Sequence, residues 1–450
     1  MQLTKQDTQK YLNSFSGEYK ELFFEKSKNF GFSFINGIGK TPILSTLEGF
    51  SILSRSGNKE YFKVYNDFLD IEDKINNFKN EFLLNNTSEN AKLNGDDILK
   101  LENIEDIKFD VKDILENIKK VYEIILKNEK IIVSSDMSLS LSCKQFIVGN
   151  NSGNFAKDSN YYNTFFIKLI GEKNGNKEEV FEKITGDNIL DKLNFENISS
   201  CVKKRVKTLK DVLDGEASPN GEMDVIIGNE AGGTIIHEAI GHGLEADLQN
   251  SSVYNGKIGQ KVAQDFVSVV DNPKTVGERG YYKYDHEGNT AKEVYLIENG
   301  ILKNYLHTTK TSKKFETLEN GHARRENYKY KTLVRMGNTY LLPGKDKKED
   351  LIKKVKNGIY VSRMGGGQVN TTTGDFVFKV QSGYLIENGR LTNVIRGATL
   401  SGNGPKMLNE IYGICDDLEF FDGGTCGKGQ AMPVSDGTPT VWTKLKVSSF

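Results

Sequence analysis

The sequence predicts an α+β protein: an N-terminal mixed α/β domain of antiparallel sheet and helices over residues 1–220, then a β-rich domain over residues 221–450. Three observations lead there. Hydrophobic spacing in the first part switches between a period of two and one of three to four, the marks of strands and of helices with one buried face. Glycine is uneven, with 13 of 44 in residues 1–220 and 31 in residues 221–450, and five of seven prolines follow residue 220. That shift sets a boundary near Pro219-Asn220-Gly221. The second part then reads mostly as strands.

A polar helix over residues 4–14 comes first. Strand-like runs follow at 21–26, 30–35, 50–54 and 61–65. Helices are predicted over 68–83 and 111–126, the latter carrying Leu115, Ile118, Tyr122 and Ile125 at spacings of three and four. Residues 85–97 between them are polar and read as a loop. Strands resume over 131–184, broken by turns at 150–154 and at Asn174-Gly175, and a helix over 200–213 feeds the boundary. The first part is therefore expected to pack helices on one face of its sheet. Beyond the boundary, a strand at 223–228 runs through a glycine turn into a histidine-bearing helix, and short helices are expected near 309–318 and 347–356. The hexapeptide Tyr-Leu-Ile-Glu-Asn-Gly occurs at 295–300 and again at 384–389. Each copy predicts a hairpin around Asn-Gly, through convergent turn chemistry or through a duplicated β unit.

Composition narrows the function. A formal charge of -1 over 450 residues gives no global field to attract nucleic acid or an anionic membrane. The N-terminus lacks the pattern of a secretory signal and no apolar run approaches the ~18 residues that span a bilayer. Cys143, Cys201, Cys415 and Cys426 form no C-x-x-C pair, which fits reduced thiols. The expectation is a soluble, cytoplasmic protein with no nucleic-acid or membrane partner.

His237-Glu238-Ala239-Ile240-Gly241-His242 holds two of the five histidines. Two imidazoles and an adjacent carboxylate are the makings of a zinc site in which the Glu stays off the metal. Histidines four apart share a helical face; five apart, they stand roughly 140° from each other on a regular helix. The metal-binding helix is therefore expected to be short and bulged or broken, as a π-bulge or by termination at Gly241. A third ligand is required. Glu245, Asp247, His286, His307, His322 and the cysteines are candidates. Cys426 lies in the glycine-rich stretch Asp422 to Gln430, where Lys428 is expected to favour the thiolate. Gly423 to Gly429 and Gly365-Gly366-Gly367 do not fit a phosphate-binding pattern. The basic residues 303–314 with Arg324, Arg325, Lys329 and Lys331 read as a solvated surface.

The motifs H-E-A-I-G-H-G-L-E-A-D (237–247), N-G-H-A-R-R-E-N-Y (320–328), L-V-R-M-G-N-T-Y (333–340), A-T-L-S-G-N (398–403) and G-x-C-G-K-G-Q-x-x-P-V-x-x-G-x-P (424–439) together resemble the TldD/PmbA metallopeptidases, once called modulators of DNA gyrase, in their TldD branch. The likeness is specific over 221–440 and general before it. It implies a zinc peptidase acting on extended or unfolded peptides, with His237, His242 and Cys426 as ligands and Glu238 as catalytic base. It also implies a dimer, in particular a heterodimer with a PmbA-like paralogue that lacks the motif. The rival readings are a cysteine hydrolase with Cys426 as nucleophile and a non-catalytic regulatory or binding subunit. Arg324, His322 and the N-H groups of Gly365, Gly366 and Gly367 are candidate oxyanion stabilisers.

Overall fold

Alternation of large apolar residues in the first part is realised as two long strands, Tyr19–Ile35 and Ile132–Asn150, paired antiparallel without a break from Glu21 opposite Asn150 to Ile35 opposite Asp136. The computed structural model describes residues 1–81, 91–421 and 423–449. The expected runs 21–26 and 30–35 are thus one strand. The intervening polar residues do not interrupt it because Ser27 and Lys28 are buried, with Lys28 Nζ donating to the Ile107 carbonyl at 2.8 Å. Ile43–Ser56 and Lys59–Tyr65 extend the sheet on one side, and Asn163–Lys173 and Asn176–Gly186 on the other.

Leu22, Phe24, Phe32 and Phe34 point to the same face as Met137, Leu139 and Ile147, and that face carries the helices, as expected. Ile114, Ile118, Ile198, Val202 and Leu209 from Lys112–Val121 and Phe195–Leu213 pack on one half, and Ile75 and Phe78 from Ile71–Glu81 on the other. The predicted helix over 68–83 and the loop over 85–97 fall partly on residues 82–90, outside the described residues. The opposite face presents Phe23, Phe146 and Val148 to Tyr328 of the second part. There the His286 ring lies 4.8 Å from Phe146. Arg325 pairs with Glu21, and both are buried. Arg324 and Arg325, expected on a solvated surface, are therefore interior. Their charge is tolerated because each guanidinium lies on an aromatic ring, Tyr282 and Phe23 respectively, and donates to a buried acceptor.

In the second part, five strands close on themselves. Gly221–Ile227 pairs with Asn357–Val369, that with Asp375–Glu387, then Ala398–Asn403, Val441–Ser449 and back to Gly221–Ile227. Closure leaves the ring few exposed edges, one of them where Asn357–Val369 continues past Val361, the last residue paired with Gly221–Ile227. A seven-stranded sheet, including Asn338–Leu341 and Ala431–Thr438, lies beside it. Both repeated hexapeptides form hairpins with left-handed central residues, Asn299 and Gly300 (φ 49° and 78°) and Asn388 and Gly389 (φ 49° and 76°). They belong to different sheets. Among the described residues no helix is long and apolar enough to cross a membrane.

Candidate metal centre

The strand Gly221–Ile227 ends in a turn where the N–H groups of Ala231 and Gly232 donate to the Gly228 carbonyl, and the chain enters a helix. Gly233–Ile235 is α, Ile236–Gly241 is π and His242–Leu244 is 3-10. The His242 N–H donates to the His237 carbonyl. This i to i+5 bond widens the turn by one residue and brings the two rings, about 140° apart on a regular helix, to the same side. Their centroids are 5.1 Å apart. Of the two expected solutions the molecule uses the bulge. Gly241 and Gly243 are required for space, since neither has a positive φ. A β-carbon on Gly241 would stand 2.2 Å from Met336 Sδ, and one on Gly243 2.9 Å from the Tyr254 ring.

Cys426 arrives on Gly424–Gly427, opposite Met432 of Ala431–Thr438. Buried Arg335 fixes this hairpin by donating to the Cys426 carbonyl at 2.6 Å and the Gln430 carbonyl at 2.7 Å. Cys426 Sγ lies 3.2 Å from His242 Nε2. One donor atom each from His237, His242 and Cys426 lie within 4.8 Å of one another, and all three residues are buried. Tetrahedral zinc with bonds of 2.0–2.3 Å holds N and S donors about 3.5 Å apart, so the cluster fits such an ion with little adjustment.

The electrostatics point the same way. Burial pushes the Cys426 thiol up, but hydrogen bonds from His237 and His242 outweigh it and hold the thiol at about 5. Burial disfavours the charged imidazoles; Glu245 and Cys426 nevertheless raise His242 to about 10, and Cys426 raises His237. A thiolate that favours the charged forms of two facing imidazoles marks a place where positive charge is stabilised, and a metal ion would supply that charge in place of protons.

Glu245, a candidate ligand by sequence, instead accepts from His242 Nδ1 at 2.8 Å and is fully buried. It orients the ring so that Nε2 faces the thiol. Lys428 bonds Glu245 at 3.1 Å, Asp247 at 2.6 Å and the Val334 carbonyl at 3.1 Å. Burial raises Glu245, but the charges of Lys428 and His242 bring it to about 2. The Glu238 side chain is 33% exposed, with Oε2 3.8 Å from His242 Nε2. It lines a cleft of about 420 Å³ together with Gly365, Gly366 and Gly367.

The remaining candidates lie elsewhere. His286 packs between Phe23 and Phe146, His307 meets Thr311, and His322 is held by Asp271 at 2.9 Å and the Asn320 carbonyl at 2.9 Å. Cys143 is buried in a strand and Cys201 sits on a helix. Arg324 donates to the Met336 carbonyl, so neither it nor His322 lines the cleft. Asp422 lies outside the described residues. Sequence reasoning missed Arg335, for which a lone Arg between apolar residues carries no signal. The role of Glu245 had one: three positions after His242, it falls on the same helical face.

Residues 220–449 match the family described as the PmbA/TldA metallopeptidase C-terminal domain. A metalloprotease TldD homolog of Buchnera aphidicola subsp. Schizaphis graminum is 33% identical over 329 residues, covering 70% of this chain and 68% of that protein. The chain belongs to the TldD/PmbA metallopeptidase family. A zinc metalloprotease TldD homolog of Saccharolobus solfataricus is 33% identical over 257 residues, 56% of this chain and 58% of that one. The aligned segments cover 62% to 68% of the length of the first four curated relatives. The crystal structure of TldE from Thermococcus kodakarensis superposes with a TM-score of 0.76 at 15% identity over 99% of this chain and 98% of that one. The fold of the TldD/PmbA family therefore extends over the first part as well as the second.

Proposed function

We propose that this family member is a zinc-dependent peptidase that hydrolyses amide bonds of extended or unfolded peptides. The observation that carries this is the convergence of three buried donors, His237, His242 and Cys426, beside a carboxylate, Glu238, that alone of the four lines the cleft. Zinc, when bound there, supplies Lewis acidity for the scissile carbonyl and a water that ionises near pH 7. Glu238 takes the proton of the attacking water and passes it to the leaving amine. Glu245 keeps a proton on His242 Nδ1 and so directs Nε2 to the metal. The thiolate partly neutralises the ion, and slow turnover is expected.

Beyond residue 361 the strand Asn357–Val369 is bonded to Asp375–Glu387, while its pairing with Gly221–Ile227 ends at Val361. Among the described residues no strand pairs with its other edge there, and this edge, with Gly365, Gly366 and Gly367 in the cleft, supports main-chain recognition of an extended peptide by strand addition. The division into domains 1–220 and 221–450, a cytoplasmic location and a heterodimer with a paralogue lacking the motif are parts of the same reading.

The 3.2 Å contact between Cys426 and His242 also suits a cysteine hydrolase. Metal analysis separates the two. About one zinc per chain and loss of cleavage with a chelator are expected for the purified protein and its complex. Glu238→Gln should retain the metal and lower kcat by at least about 100-fold. Cleavage that persists in metal-free protein refutes the zinc reading. Metal-replete protein in which Glu238→Gln changes neither cleavage nor partner effects favours a regulatory subunit.

A further inference from the structure

The cleft beside Glu238 is closed on one side by the first part of the chain. The hairpin of Asn163–Lys173 and Asn176–Gly186 is anchored there through its second strand. The Gln381 side chain accepts from the Phe181 N–H and donates to its carbonyl, at 3.3 and 3.2 Å, and Arg363 pairs with buried Glu182. These bonds fix the outward-facing side of the hairpin over the cleft. That side carries Lys168, Glu179 and Lys183, the polar pattern expected of an antiparallel sheet facing water. It also carries two phenylalanines, Phe166 and Phe181, whose ring centroids are 6.2 Å apart. Both line the cleft with Phe378, Phe421 and Met364 of the second part. Two half-buried aromatic rings on a water-facing sheet, opposite further apolar side chains, form a surface that an apolar group would cover with a gain in stability.

We propose that Phe166 and Phe181 form the wall of a specificity subsite that takes an apolar side chain of the bound peptide next to the scissile amide. The proposal rests on Glu238 marking the reacting centre. About 420 Å³ lies within the range of sites that bury a small ligand, enough for a short peptide segment with one large side chain. The glycines opposite leave the backbone accessible, and the phenylalanines add side-chain selection to main-chain recognition. The first part of the chain thereby sets what the second part cleaves.

The test uses a fluorescent octapeptide of Gly and Ser in which one Leu is walked along the sequence, with the all-Gly/Ser peptide as reference. Binding is read by anisotropy on the full-length Glu238→Gln chain, and cleavage is read on the wild type. At one register, Leu should improve binding by about tenfold or more. Phe166→Ala and Phe181→Ala, each checked for unchanged zinc content and melting temperature, should reduce that ratio below about threefold. Phe181→Leu should restore it, which a purely structural role in the hairpin would not require. Absence of a Leu preference at every register, or a preference unchanged in the Phe166→Ala/Phe181→Ala double variant, overturns the proposal. Discrimination in binding that depends on both rings, with no cleavage by the wild type, would uphold the subsite and refute the peptidase reading instead.

Discussion

Replacing Glu245 with Ala tests whether the second histidine is oriented from behind. Glu245 is fully buried, and its Oε2 accepts from His242 Nδ1 at 2.8 Å and from Lys428 at 3.1 Å. Lys428 keeps Asp247 at 2.6 Å and the Val334 carbonyl at 3.1 Å after the change, so the loss falls mainly on His242. Removing such a partner weakens metal binding by about 10–100-fold, or roughly 1.4–2.8 kcal/mol. Glu245→Gln keeps an acceptor for Nδ1–H but not the charge, and should fall between Ala and wild type. Zinc affinity is measured by competition with a chromophoric chelator, with thermal unfolding in chelator as the check on folding. Affinity of Glu245→Ala within about threefold of wild type refutes the orienting role. A loss as large as that of His237→Ala would make Glu245 a ligand.

Gly241→Ala places a β-carbon 2.2 Å from Met336 Sδ and should destabilise the chain by about 1–3 kcal/mol; the end of Met336 is flexible, so adding Met336→Ala should relieve much of that loss in denaturant titrations. His307, held down to about 4 by burial and by the charge of His322, is protonated more readily in the unfolded chain. Its folded pKa is depressed, so stability falls as pH drops from 6.5 towards 4, by on the order of 2 kcal/mol. His307→Asn should flatten the melting temperature against pH in that window relative to wild type, and an unchanged slope would count against the assignment.

Much of the fold was legible because its signals are local. The helical stripe over 111–126, the turns at 150–154 and 174–175 and both Asn-Gly hairpins depend only on neighbours in sequence, and each stands where the spacing puts it. The merging of 21–26 with 30–35 was not legible, because polar residues in a central strand are stabilised by partners such as Ile107, far away in sequence. The same division runs through the site. Histidines five apart announce a distorted helix. Arg325 reads as a surface charge until the sheet that brings Glu21 to it is assembled. The groups that hold Lys428, Glu245 and Asp247, are more than 180 positions away and are equally out of reach of a local reading.

The i to i+5 turn gives only two of the three donors. The third follows His242 by 184 positions, on the hairpin of Gly424–Gly427 and Ala431–Thr438. During synthesis the two histidines leave the ribosome long before Cys426, and two imidazoles alone would hold an ion only weakly. On the proposed zinc reading, metal capture at full affinity waits until the segment carrying Cys426 has been made. On that reading the ion would then contribute its binding energy to the folded state alone, so a chain truncated before residue 426 is expected to lose both the metal and that stabilisation.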